Sequence, residues 1–480
     1  MSAPVLEADR TDQETGRERL SVVPLLRRLH FYAGVLVGPF LVVAAISGML
    51  FSLSPQIDDV LYGDVLSVSS TEGVPRPLTE QVAAAQADLP DGTVTSVLVP
   101  DDPDATTRVV FAVPGLAEEY TKTVYVDPYT AQVRGQLTTW FGSTPATTWL
   151  DNLHSNLNLG VPGTLYSELA ASWLWVMSLA GLALWLGRRR SARRRVRALV
   201  LPEKGAKGVR KTRSWHASIG VWVLLGALFL SATGLTWSTY AGENFTAALT
   251  ALDAKAPVLD TALPGGGAAA SGSGEHAEHG GTTGTTTARV DAPAFDRVLG
   301  TARGAGLDGP LVITAPAAPG TAWSAAQADN TWPTRLDQVA VDASTSTVTA
   351  RSDWSDRPFM AKLSSLGVQA HMGVLFGVVN QAVLFLLAAA ILTMIVLGYR
   401  MWWQRRPTRA DRRAPLGTAP KRGAWQRLPL WFVIPAPLVL IAIGLAIPLL
   451  GISLLAFLVL DGVIGLVRSR TKPSEGVGVG

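Results

Sequence analysis

Residues 27–53 read RRLHFYAGVLVGPFLVVAAISGMLFSL, and residues 213–237 read RSWHASIGVWVLLGALFLSATGLTW. Each puts a histidine, His30 or His216, at the opening of a long apolar run, with a glycine four residues on (Gly34, Gly220). A hydroxyl residue followed by glycine closes a similar interval in both: Ser47-Gly48 and Thr233-Gly234. A helix needs about 20 apolar residues to cross a bilayer, and both runs meet that length. Two further histidines, His154 and His371, precede other apolar runs, each with a glycine six residues on (Gly160, Gly377). One pattern written twice marks an internal duplication.

Composition agrees with a membrane chain. Of 480 residues, 48% are hydrophobic and 16% charged, with a mean hydropathy of +0.26. The net charge of +4 is no nucleic-acid footprint, because the basic residues cluster beside the apolar runs. The chain has no cysteine, which excludes disulfides, thiolate ligands and covalent haem attachment through Cys.

The spacing predicts an α-helical integral membrane bundle of six spans. Four are single: 29–53, 164–187, 215–237 and 371–403, the last with its apolar core from 378. Residues 430–467 are too long for one span, and Gly444, Pro448 and Gly451 divide them into a hairpin of two. Basic residues flank the spans in the tail 1–28, in the loops 188–214 and 404–429, and in the tail 468–480. The positive-inside rule puts all four in the cytoplasm, with both termini inside. The chain therefore reads as a multi-pass protein of the cytoplasmic (inner) membrane, with the lipid bilayer as its solvent. The first span is too long, and lacks a small-residue cleavage site, to be a removed signal peptide. Trp402, Trp403, Trp425 and Trp431 suit interfacial belts. The spans read as lacking buried Asp, Glu or Lys, which argues against an ion-coupled transporter.

Segments 54–163 and 238–370 then lie outside. Each holds a helical stretch (PLTEQVAAAQADL; DAPAFDRVLGTARGAGL) and a strand–turn–strand (TKTVYVDPYTAQV; LDQVAVDASTSTV). Two small external α+β units are expected. A Gly-rich piece at 264–287 interrupts the second. Its His276 and His279, in EHAEH, read as incidental residues of a linker rather than a metal site.

Topology puts His30 and His216 near the cytoplasmic face, and His154 and His371 near the external one. Imidazole is an axial ligand of haem iron, and two imidazoles from different helices can hold one haem b. A lone histidine at a helix end serves equally as an interfacial group; four in two matched registers point to ligation. Gly34, Ala33 and Gly38 in one span, and Ala217, Gly220 and Gly226 in another, offer room for a flat ring. The Ser-Gly and Thr-Gly pairs read as packing positions. No G-x-G-x-x-G, P-loop or nucleophile elbow is present, so neither a nucleotide site nor acyl-transfer chemistry is visible.

These segments, with LHSNLNLGVPGTLYSELAASWLWVMSLAGLALWLGRRR and AHMGVLFGVVNQAVLFLLAAAILTMIVLGYRMWW, resemble the PepSY-associated transmembrane family. That family comprises iron-regulated membrane proteins that include siderophore-linked ferric reductases. The resemblance implies two b haems on His30, His216, His154 and His371, and PepSY-like external units. It also implies reduction of ferric iron or a ferric siderophore at the outer face, by electrons from a cytoplasmic or quinol donor. The turn after Val341-Asp342 lacks the proline of Val126-Asp127-Pro128. Two other readings stay open: a membrane-anchored binding or regulatory protein without redox activity, and a permease component for siderophore or metal.

Overall fold

The computed structural model describes residues 23–188, 196–263, 291–404 and 434–470. Four helices in it are long and apolar enough to cross a membrane: α1 (Val23–Phe51), α5 (Val161–Arg188), α7 (Gly208–Thr236) and α11 (Gly377–Gln404). They form a closed ring in which α1 and α7 each pack between α5 and α11. Between them in sequence lie α2 (Ser54–Leu66), α3 (Leu78–Asp88), α4 (Pro145–Asn156), α6 (Val196–Val200), α8 (Thr239–Ala251), α9 (Ala292–Gly304) and α10 (Phe359–Met372). Most spans bury only a minor share of their surface within the chain. Leu36, Trp222, Leu225, Val383 and Leu386 stand out as exposed apolar groups, as lipid-facing positions must.

The spans keep their helical form around one breaker. Pro39 lies inside α1, where it cannot donate to the carbonyl four residues back and its ring opens the preceding turn. Two tyrosines serve that turn from neighbouring helices. Tyr166 of α5 donates to the Leu36 carbonyl at 2.7 Å, and Tyr399 of α11 to the Gly34 carbonyl at 3.4 Å.

The expectation of two small external units needs correction. Each half does supply a helix and four strands: α3 with β1 (Thr93–Val99), β2 (Thr107–Ala112), β3 (Tyr120–Val126) and β4 (Val133–Trp140), then α9 with β5 (Leu311–Thr314), β6 (Trp323–Gln327), β7 (Gln338–Asp342) and β8 (Thr347–Ser352). All eight strands belong to one antiparallel sheet, in the order β4-β3-β2-β1-β5-β6-β7-β8. The halves meet where β1 pairs with β5, Val97 opposite Ile313 and Leu98 opposite Val312. Both helices share one core with the sheet, around the fully buried Val82, Phe111, Val124, Phe295, Val298 and Ile313. The first turn of α3 lacks a capping side chain of its own. Asp296 of α9 supplies it, accepting from the backbone N–H of Leu78 at 2.7 Å and of Thr79 at 2.8 Å. The two units thus share one hydrophobic face, and the first takes its helix cap from the second.

The C-terminal segment forms the expected hairpin of two helices, unequal in length. Its helices are Pro435–Ala446 and Pro448–Arg470. The first has 12 residues, about 18 Å at 1.5 Å per residue, against a hydrocarbon core of about 30 Å. The second has 23 residues, about 35 Å, and is apolar over Pro448–Ile464. Gly444 and Gly451 lie against each other where the two helices cross. The spans are not free of acidic groups either. Glu168 of α5 is 2% exposed and accepts from the N–H of Tyr240 and Ala241, both at 3.0 Å. It caps the start of α8, so its charge faces two backbone donors instead of lipid. Asp461 of the hairpin is the second such acid, paired with Arg28.

Candidate functional site

The four histidines meet in two pairs, one at each end of the four-helix ring. His30 lies about two turns into α1, and His216 about two turns into α7; neither opens its helix. Their ring centroids are 6.3 Å apart, with the planes at 85°. His154 and His371 stand on the short helices α4 and α10, which follow β4 and β8 and precede α5 and α11. This pair lies at the sheet end, again with centroids 6.3 Å apart and planes at 75°. Each pair takes one ring from each half of the chain.

Hydrogen bonds orient all four rings and fix the tautomer of the two inner ones, His30 and His216. The Nδ1 of His30 lies 2.9 Å from the Met177 carbonyl of α5, and the Nδ1 of His216 lies 2.9 Å from the Met394 carbonyl of α11. A carbonyl only accepts, so Nδ1 carries the hydrogen and Nε2 keeps its lone pair. The sheet-end rings meet hydroxyls at the same nitrogen. Ser47 Oγ is 3.1 Å from the Nδ1 of His154, and Thr233 Oγ1 is 2.6 Å from the Nδ1 of His371. Each hydroxyl already donates within its own helix, Ser47 to the Val43 carbonyl and Thr233 to the Phe229 carbonyl, both at 2.8 Å. With its hydrogen on that carbonyl, its oxygen is free to accept from the ring. Burial pushes the His154 imidazole down from its ordinary value. Burial, then the neighbouring His154, pushes His371 down to about 3. Both sheet-end rings are neutral at physiological pH, as metal ligation demands.

A glycine of a facing helix makes room for each ring. A Cβ on Gly48 would come within 3.2 Å of His154 Cε1, and one on Gly181 within 3.1 Å of His30 Cε1. Gly234 and Gly398 face His371 and His216 in the same way, at 3.8 and 3.7 Å. The spacings repeat between halves. Ser47 follows His30 by 17 residues (47 − 30), as Thr233 follows His216 (233 − 216). Met177 and Gly181 follow His154 by 23 and 27 (177 − 154, 181 − 154), as Met394 and Gly398 follow His371 (394 − 371, 398 − 371).

These residues fit a ring-bound metal. With metal–imidazole bonds of about 2 Å and a ring nitrogen about 1.1 Å from its centroid, two imidazoles on opposite sides of one ion would stand about 6.2 Å apart, close to the spacing of both pairs. Among the described residues no group of three or more His, Cys, Asp or Glu gathers as a ligand set. Each pair offers two imidazole nitrogens, a donor set that would suit a metal carrying its remaining ligands on a ring of its own, as haem b does.

Some residues singled out in the sequence serve elsewhere. Gly38 lies under Tyr399, Gly220 against Met394, and Gly226 against Leu387; all three serve helix packing. The Ser-Gly and Thr-Gly pairs, read as packing positions, instead orient and seat the sheet-end rings. Met177, Met394, Gly181 and Gly398 went unnoticed, although their constant offset from His154 and His371 was open to inspection. His276, His279 and the Gly-rich piece at 264–287 lie outside the described residues, as do Trp425 and Trp431.

The fold and its paired imidazoles define a duplicated helical membrane protein with four candidate spans among the described residues and a β-sheet at one end of them. The sequence matches the PepSY-associated TM region family over residues 27–405, and the chain belongs to that family. No curated protein matches it.

Proposed function

We propose that this protein carries electrons across the cytoplasmic membrane through two bis-histidine b haems and reduces ferric iron, free or in a siderophore, at the outer face. The observation that carries this reading is the repeated pair: two sets of imidazoles 6.3 Å apart, every Nδ1 hydrogen-bonded and every Nε2 left for a ligand. His30 and His216 would hold the inner haem, and His154 and His371 the outer one. A bound haem supplies one-electron chemistry, with its potential set by axial ligands, hydrogen bonding and burial. The chain's own part is to hold the rings. The Met177 and Met394 carbonyls, and the Ser47 and Thr233 hydroxyls, lock each imidazole's orientation and raise its basicity. Between His30 and Ser47 lie 17 residues of α1, about 26 Å, so two sites divide the bilayer into shorter transfers.

Ferric iron suits the role of acceptor because siderophores hold Fe(III) tightly and release Fe(II). The donor on the other side is a quinol, a reduced flavin or a partner reductase in the cytoplasm. The reading takes the sheet as external and PepSY-like, the hairpin as completing six spans, and both termini as cytoplasmic.

The test is a reduced-minus-oxidised spectrum with haem quantified per chain, for the wild type, His216→Ala and His371→Ala. About two haems in the wild type and about one in each variant are expected from two bis-His sites. A well-folded wild type without haem sinks the reading and leaves an anchored binding module in its place.

A further inference from the structure

The helix α2 follows α1 after a short turn, with Pro55 at its start. A line of outward apolar residues runs through that junction. Ile46 and Leu50 stand exposed on α1, Leu53 at the turn, and Val60 and Leu61 on α2, with Ile57 partly exposed between them. From Ile46 to Val60 the steps are four, three, four and three residues, the spacing of one helical face. Leu53, Ile57, Val60 and Leu61, with Gln56, line an open recess, and Val60 is 85% exposed. Asp64, exposed one turn beyond Val60 on the same face, ends the stripe.

The other side of α2 is engaged. Asp58 accepts from Thr144 Oγ1 at 2.7 Å and from Thr147 Oγ1 at 3.0 Å. Thr144 caps α4, the helix that carries His154. Val65 lies against Gly135 of β4. The apolar stripe therefore points away from the protein, and its surroundings are those of lipid. Gln56 donates to Gln381 near the start of α11 at 3.2 Å, so the stripe adjoins the exposed Val378, Val379 and Val383 of that span. The sheet brings aromatic rings to the same span end. The N–H of Trp332 donates to the Leu375 carbonyl at 2.7 Å, and its ring stands 6.5 Å from that of Phe376. The two are 59% and 55% exposed, and Trp is enriched where a membrane meets water. In the second half α8 follows α7 as α2 follows α1, and there both helices of the apolar C-terminal hairpin pack against it. On α2 the stripe stays open among the described residues.

We propose that α2 is an interfacial helix. Its first two turns lie in the lipid at the sheet end of the spans, with Leu53, Ile57, Val60 and Leu61 among the acyl chains and Trp332 and Phe376 at the headgroup boundary. Beyond Asp64 the helix leaves the lipid for the sheet. Through Asp58 the bilayer surface then braces α4, and with it His154.

The chain has no cysteine, so a single substitution gives each variant one spin-label site. Full-length Ile57→Cys, Asp59→Cys, Val60→Cys, Leu61→Cys, Asp64→Cys and Phe376→Cys variants are labelled with a nitroxide and placed in phosphatidylcholine–phosphatidylglycerol vesicles. Power-saturation EPR reads collision with oxygen, which concentrates in lipid, and with a water-soluble nickel chelate. Leu36→Cys and Asp102→Cys calibrate lipid and water. Labels at 57, 60, 61 and 376 are expected to be oxygen-rich and nickel-poor, shallower than the label at 36. Those at 59 and 64 are expected to show the reverse. Nickel collision at 57, 60 and 61 equal to that at 102 overturns the proposal, because the face then meets water. Weak collision with both reagents overturns it as well. Spin–spin broadening would in that case identify a second copy on the face, and its absence another protein segment.

Discussion

At the scale of residues, the four ring-seating glycines are not equivalent. A methyl on Gly181 or Gly48 would press on the imidazole at 3.1 or 3.2 Å, whereas one on Gly398 or Gly234 would make ordinary contact at 3.7 or 3.8 Å. Gly181→Ala should therefore lower haem occupancy at the inner site, and Gly398→Ala should leave it near the wild-type level; haem per chain after purification reads both. Asp151 gives a pH signature. It lies one turn before His154 on α4, and burial raises its carboxyl to about 6. With its folded value above its unfolded one, the unfolded state holds fewer protons between pH 3.8 and 6. Stability from this group is thus full below pH 3.8 and falls as pH rises through 6. Asp151→Asn should stabilise the protein by about 2 kcal/mol at pH 7.5 and by almost nothing at pH 3.5, measured by thermal unfolding in detergent. The histidines themselves were legible in the sequence because duplication repeats their register. Their partners were not. Met177 and Met394 contribute backbone oxygens, which leave no trace in residue type, and Gly181 and Gly398 are two among 46 glycines.

At the scale of elements, the spans were plain from hydropathy, while what sustains them was not. Pro39 advertises a weak turn in α1, but its support comes from Tyr166 and Tyr399 on other helices. Removing the shorter bond with Tyr166→Phe should cost about 1 kcal/mol, and Tyr399→Phe, whose bond is 3.4 Å long, should cost less. The ranking of the two melting temperatures checks it. Glu168 was hidden in an apolar span for a similar reason: its partners are the N–H groups of α8, 72 and 73 residues away. Glu168→Ala leaves those donors unmet and should destabilise the protein by about 1–3 kcal/mol. Glu168→Gln, which keeps an acceptor, should recover part of that loss.

At the scale of the whole molecule, strand and helix patterns identified each half's α+β content but not its union into one sheet. Short alternating strands look alike whether they end a sheet or continue it, and the β1–β5 pairing spans more than 200 residues of chain. The same union sets an assembly prediction. Residues 1–204 and 205–480, made as separate chains, each carry only one ring of each pair. Either alone should bind no haem as a monomer, and co-expression should restore about two haems per complex. Bis-His haem bound by a half shown to be monomeric would contradict pairing across the halves.

Sharing every pair between the halves also bears on how such a chain could arise. In a symmetric dimer of a half-length ancestor, a residue on the two-fold axis meets its own copy. Both imidazole pairs have that arrangement here, so the unfused dimer would have owned two complete sites from one His at each end of a single two-span subunit. Gene fusion then freed the copies to differ. Arg28 and Glu168, with Ser214 and Phe385 at the matching positions, each break the old equivalence of the two halves.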